Sequence, residues 1–278
     1  MSARRRPRRW LRWPARATRR WLRRLRRAPL AWQLLLCSLL AAVAALAING
    51  IYQVARKPTE LFFPVSGVLA KTPRDTWHEY SPAFRRFATP AISAELLAAL
   101  AQVEGSGNPL VRTYWRWAWA VKPFELYRPA SSAVGMYQIT DGTFAEARHY
   151  CIHHHALAQE GRWDDWRSCW FNGLYLRVVP RDAIELTAAY LDLKVNAILA
   201  QSPRHTASAL QREHLAAVVH LCGAGLAATY AHRGFRFADG ERCGAHDPRE
   251  YLRRIDEMRA VFMRLAQAEA EEGADGAQ

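Results

Sequence analysis

Glu95-Leu-Leu-Ala-Ala-Leu-Ala-Gln-Val-Glu104-Gly-Ser-Gly-Asn-Pro109 is the stretch on which the reading of this chain turns. Thr89-Pro90 predicts a helix start with proline at the first position, where its missing N–H costs nothing. Leu96, Leu97, Leu100 and Val103 then recur at helical spacing until Gly105 and Pro109 break the pattern. Glu104 falls on the face of Leu97, Leu100 and Ala101, so its carboxyl should leave the core side at the C-terminal end of the helix. A partly buried carboxyl at the negative end of a helix is the arrangement that keeps a proton for a general acid to give. By itself, a Glu before a Gly is most often only the polar end of an amphipathic helix.

A second stretch, Ala133-Val-Gly-Met-Tyr-Gln-Ile-Thr-Asp-Gly-Thr-Phe144, gives the first its weight. Gly135 would let a backbone come close to a ligand, and Tyr137 and Gln138 can hydrogen-bond to sugar amides and hydroxyls. Asp141, as N-cap or just before it, should open a helix. Further helices are expected near 142–158, 182–201, 206–222 and 247–270. The last has Asp247-Pro248 as cap and first residue, and Tyr251, Ile255, Met258 and Phe262 on one stripe. Alternating strands of any length and internal repeats are not seen, so the fold class is mainly α.

Half of the 278 residues are apolar, enough for one packed domain with appendages. The net charge of +14 suggests nucleic acid until its distribution is followed. Residues 1–27 hold thirteen Arg and no acid, and the 26 basic residues that remain face 25 acidic ones. Nucleic acid is therefore not expected as a partner. Residues 30–48 carry no charge and approach spanning length, so residues 1–28 read as a cytoplasmic Arg-rich tail and 29–50 as a transmembrane signal-anchor, with everything beyond in the periplasm. A cleaved signal peptide is the rival, because Ala45-Leu46-Ala47 has the small-residue pattern of a cleavage site. Residues 51–88, with Pro58, Pro64, Pro73 and Pro82, read as linker and domain entry, 89–270 as the domain, and 271–278 as a disordered polar tail. Of the five cysteines, Cys37 lies in the apolar segment. The other four fit two disulfides, with Cys151–Cys169 and Cys222–Cys243 favoured because each closes a short loop.

The order Glu104, Asn108-Pro109, then Gly135-Met136-Tyr137-Gln138 and Gly142-Thr143 resembles the transglycosylase SLT domain family, whose motifs are Glu-Ser-x-x-Asn-Pro and Gly-Leu-Met-Gln. The likeness covers residues 90–235. It implies a lysozyme-like helical domain of the goose type and a lytic transglycosylase that cleaves the bond between N-acetylmuramic acid and N-acetylglucosamine in peptidoglycan. On that likeness Glu104 is the sole acid/base, no cofactor or metal is required, and Gln138 orients the substrate or the Glu. Ser106, Asn108, Met136, Tyr137, Gln138 and Tyr230 are the expected substrate contacts. Two departures stand out. Gly105 occupies the place of the family's serine, and Leu221-Cys-Gly-Ala-Gly225 stands where the family has Ala-Tyr-Asn-Ala-Gly, with Tyr230 as a substitute tyrosine.

A conventional glycosidase needs a second carboxylate at a defined separation, and the candidates, Glu125 and Asp141, have no motif support. A lysozyme-type hydrolase on the same fold, a non-catalytic peptidoglycan-binding protein, and a membrane adaptor working through its Arg-rich tail are the alternatives. Trp115, Trp117 and Trp119 alternate as a glycan platform or as ordinary packing. His149 and His153 are four apart as in a zinc helix, but no third ligand follows, so His149 and His153–His155 read as an exposed polar helix face.

Overall fold

The computed structural model describes residues 28–62, 67–118, 125–201 and 207–275. The Arg-rich tail to residue 27, Pro64, Trp119 and residues 276–278 lie outside the described residues. Seven helices carry the described chain, so the mainly α class is seen directly.

The chain divides into two compact units. The first comprises residues up to Arg56 together with Trp117–Arg128. Its helix α1 (Leu30–Arg56) has 27 residues, about 40 Å at the ordinary helical rise, and is long and apolar enough to cross a membrane. Leu34, Leu35, Leu39 and Leu40 are all more than half exposed, as suits a helix surrounded by lipid. It continues six residues past the expected end at residue 50, because nothing from Ile51 to Arg56 breaks a helix. Asn49, buried on this helix, donates from Nδ2 to the Tyr127 carbonyl at 2.6 Å.

The second unit comprises Lys57–Arg116 and Pro129–Gln278. Its first residues are not a free linker. The Glu60 carboxylate is buried and accepts from Arg112 Nη1 at 3.1 Å and Trp115 Nε1 at 2.8 Å, while Lys57 Nζ donates to the Ala133 carbonyl at 2.9 Å. A helix then follows that the proline count had hidden: α2, Pro73–Phe87. Thr72 caps it by accepting from Asp75 N–H, Pro73 occupies the first turn, and Pro82 sacrifices one backbone bond in mid-helix. Trp77, Tyr80, Phe84 and Phe87 on α2 are buried, which outweighs that loss.

Helix α3 (Ala94–Gly105) begins four residues later than Thr89-Pro90 implied. Thr89 and Ile92 exchange two backbone bonds in a turn, and Ser93 is the true cap, accepting from Leu96 N–H at 3.1 Å. Ala94 and Leu96 to Ala101 are all buried, so α3 is the central helix, enclosed chiefly by α2 and by α7 (Pro248–Asp275). Two short strands, β1 (Trp115–Trp117) and β2 (Tyr127–Pro129), pair where the chain leaves and rejoins this unit.

The helix expected over 142–158 is only a seven-residue α4 (Asp141–Ala147), capped by Thr140 rather than Asp141. A hairpin follows, β3 (Tyr150–His153) with β4 (Ala156–Gln159). Strand pairing wins because Cys151 and Ile152 are buried and Cys151 is bridged to Cys169. Helices α5 (Pro180–Ala200) and α6 (Ala209–His232) pack on one another, and α6 breaks at Gly223, where φ is 76°. The stripe on α7 is as read: Tyr251, Ile255 and Phe262 are buried. The same helix runs on through the supposed tail to Asp275, because Ala266, Gln267, Ala268, Glu269, Ala270, Glu271 and Glu272 are all helix formers and no proline interrupts them.

Both favoured disulfides are formed, Cys151–Cys169 and Cys222–Cys243, with Cα atoms 5.7 and 5.3 Å apart. Beside the first, Glu185 is 4% exposed and accepts from Ile152 N–H at 3.1 Å and from Tyr175 O–H at 3.0 Å. Burial pushes its carboxyl above glutamate's ordinary 4.5 despite these two donors. A raised folded value stabilises the protein fully below 4.5, and that contribution is lost as pH rises through the folded value. The melting temperature should therefore fall as pH climbs from 4.5, and Glu185→Gln should flatten that dependence. A thermal-melt series in which wild type and variant keep the same slope would refute the assignment.

Candidate active site

Glu104 sits on the last turn of α3, its side chain 19% exposed. Ser106 closes the helix in a left-handed conformation, and Gly107 follows at φ 63°. Gly105, where the SLT motif has serine, is required by close packing: a Cβ here would stand 2.7 Å from the Met136 carbonyl oxygen and 2.8 Å from Met136 Cα. The two sequence stretches thus meet backbone to backbone.

Two side chains from far along the chain converge on Glu104. Tyr251, from the first turn of α7, donates its O–H to Glu104 Oε1 at 2.6 Å. Burial and the neighbouring carboxylate push this phenol far above its ordinary range, so it stays a donor. His220, from α6, places Nε2 3.7 Å from the same oxygen. Both were outside the sequence reading of the site: Tyr251 was only part of a core stripe, and His220 carried no motif. Tyr251 is 147 residues from Glu104 along the chain, and His220 lies on another distant helix, so no local pattern could find either.

His220 also lines a cleft of about 230 Å3 with Gln138, Thr140, Thr143, Thr187 and Tyr190. Thr187 Oγ1 is buried in this wall without a hydrogen-bond partner, a group that a ligand or water would satisfy. No Asp or Glu is among the described residues lining the cleft.

The expected substrate contacts divide sharply. Gln138 reaches the cleft, yet its Nε2 donates to the Gly135 carbonyl at 2.9 Å and to the Val111 carbonyl at 3.4 Å, holding its own loop rather than Glu104. Ser106 is exposed beside Glu104. The remaining four are corrected by burial. Met136 and Tyr137 have no exposed surface, and Tyr137 O–H donates to the Leu97 carbonyl. Asn108 is 2% exposed and accepts from Leu110 N–H, shaping the turn after the helix. Tyr230 is 4% exposed between Phe235 and Phe237 and substitutes for nothing at the site. Large apolar or aromatic side chains are stabilised more by core burial than by a place in an open cleft. Gly135 likewise faces protein, not ligand: its α-carbon lies against the Arg177 carbonyl.

The secondary candidates are accounted for too. Asp141 pairs with Arg177 at 2.8 Å, and Glu125 pairs with Arg128 at 2.9 Å and Arg56 at 3.4 Å. Trp115 is tied to Glu60, and Trp117 packs on Tyr127 with ring centroids 4.8 Å apart. The histidines stand on the hairpin and not on a helix face, with His149 bonded to Glu160 at 2.6 Å. The described residues offer one cluster of metal-ligating type, Cys151, His153 and Cys169, and the disulfide removes both thiolates from it.

A scan against protein-family models and a search of curated proteins both return no match for this chain.

Proposed function

We propose that this chain is a peptidoglycan lytic transglycosylase, held at the inner membrane by α1 with its basic tail in the cytoplasm and its second unit in the periplasm. The reading rests on one observation: Glu104 is a partly exposed carboxyl held by the Tyr251 hydroxyl, and its neighbour His220 lines a cleft whose described lining contains no carboxylate. A two-carboxylate hydrolase would have to draw its second group from outside the described lining of that cleft. The resemblance of the Glu104 and Gly135–Thr143 stretches to the SLT motifs supplies the substrate class.

In the proposed reaction Glu104 gives its proton to the oxygen bridging muramic acid C1 to the next sugar, and that C1–O bond breaks. The muramic acid C6 hydroxyl oxygen bonds to C1, closing the 1,6-anhydro ring, and returns its proton to Glu104. No water is consumed. Tyr251 holds the carboxyl in place through both proton transfers. Full-length protein in detergent micelles, incubated with purified sacculi, should release muropeptides one water lighter than hydrolytic products. Reducing-end products would establish the hydrolase instead, and retention on sacculi without any product the binding protein.

Tyr251→Phe removes one hydroxyl while keeping the buried ring. Loss of a hydrogen bond to a charged group is worth roughly 1.5–3 kcal/mol, so kcat should drop by about 10- to 100-fold with KM nearly unchanged. Unchanged kcat in steady-state assays would remove Tyr251 from the mechanism.

A further inference from the structure

A second cavity, of about 540 Å3, shares no lining residue with the cleft beside His220. The C-terminal end of α2, the start of α5, the β3–β4 turn and the loop around residues 168–175 enclose it, and the Cys151–Cys169 bridge ties the hairpin to that loop. The proposed reaction makes no use of it.

Three independent features mark it as a ligand site. The first is charge. The guanidiniums of Arg86 and Arg181 stand 5.6 and 5.9 Å from the centroid of one ring, Phe87, and neither forms an ion pair with a carboxylate among the described residues. Both side chains are exposed and line the cavity, so each can offer its guanidinium to an anion bound there. The one carboxyl in the lining, Glu185, has both oxygens engaged by Ile152 and Tyr175; burial raises its pKa, and the nearby charge of Arg181 acts in the opposite direction.

The second feature is strain. Six non-glycine residues in the described chain have positive φ, and three of them line this cavity: His154 at 50°, His155 at 61° and Phe171 at 60°. The hairpin turn thus places two histidines where Asn-Gly would sit without cost, and a left-handed phenylalanine is rarer still. Such conformations cost of order 1–3 kcal/mol each and concentrate at ligand sites. The third is aromatic surface. Trp170 and Phe171 at the rim are 44% and 76% exposed, flat faces suited to a sugar ring.

We propose that this cavity is a second ligand site, which takes a carboxylate-bearing ligand with Arg86 and Arg181 on the carboxylate and Trp170 and Phe171 against an attached ring. On the transglycosylase reading, on which this last step rests, the ligand is the acidic peptide stem of a glycan strand together with its sugar. Strands bearing stems would then be held at a place apart from the bond being cleaved.

The test is direct binding to the full chain in detergent micelles, carrying Glu104→Gln so that no ligand is consumed. The probes are the disaccharide with an intact tetrapeptide, the same compound with its carboxylates amidated, and a disaccharide of N-acetylglucosamine, which carries neither stem nor lactyl carboxylate. Arg86→Gln/Arg181→Gln should weaken the intact probe at least about tenfold, the loss of one or more charge-assisted pairs, and leave the other two unchanged. Phe171→Gly suits the left-handed backbone, so it should weaken the intact probe several-fold while leaving the melting temperature the same or higher. Equal affinity of wild type and double variant, equal affinity for intact and amidated probes, or displacement by equimolar inorganic phosphate would each overturn the assignment. Because binding is read without turnover, absence of anhydro products from wild-type protein would sink the transglycosylase reading without bearing on these affinities.

Discussion

Glu104→Gln should abolish the release of anhydro-muropeptides from sacculi while the protein remains folded. The amide is isosteric and still accepts the Tyr251 hydroxyl hydrogen bond that the carboxylate accepts at 2.6 Å, so neither packing nor melting temperature should change. What disappears is the transferable proton. General acid–base catalysis contributes about 10²–10⁴-fold, and here one residue is assigned both halves of it, so the expected loss is about a thousandfold or more. No described carboxylate in the cleft can take over. Residual activity within a few-fold of wild type would exclude Glu104 as acid/base and leave the fold without a catalytic assignment.

Gly135→Ala should markedly destabilise this domain. Gly135 has φ 79°, and a Cβ would stand 2.2 Å from the Arg177 carbonyl oxygen, a rigid backbone atom. Left-handed strain and overpacking together should cost about 3 kcal/mol or more. For a domain of this size that corresponds to a fall in melting temperature of about 10 °C. Unchanged thermal stability would mean the loop does not pack on the Arg177 backbone as described. The same substitution separates two reasons for the glycine: a ligand-approach role would lower affinity and leave stability alone.

These two residues also show what the amino-acid sequence makes legible. The end of α3 was readable because Leu96, Leu97 and Leu100 keep helical spacing up to Gly105, and the disulfides because each bridge closes a short loop. Helix α2 was obscured because prolines were weighed as breakers, although Pro73 occupies the one turn that tolerates them. The β3–β4 hairpin was missed because its turn is His154-His155, which carries none of the ordinary turn chemistry. Tyr137 is expected at the substrate from its residue type and the SLT resemblance, and Tyr230 from the resemblance alone, but burial claims both. Tyr251 and His220 reach Glu104 only through the packing of α6 and α7, which no local pattern encodes.

The Cys222–Cys243 bridge fastens the break in α6 to the chain just ahead of α7. Leu221 and Gly223, on one side of it, form cleft wall, and Tyr251, a short way beyond it on α7, holds Glu104. A single covalent stitch therefore couples the rim of the cleft to the hydroxyl that holds Glu104. Reductant should not wear these two parts down separately: they are built to fail together.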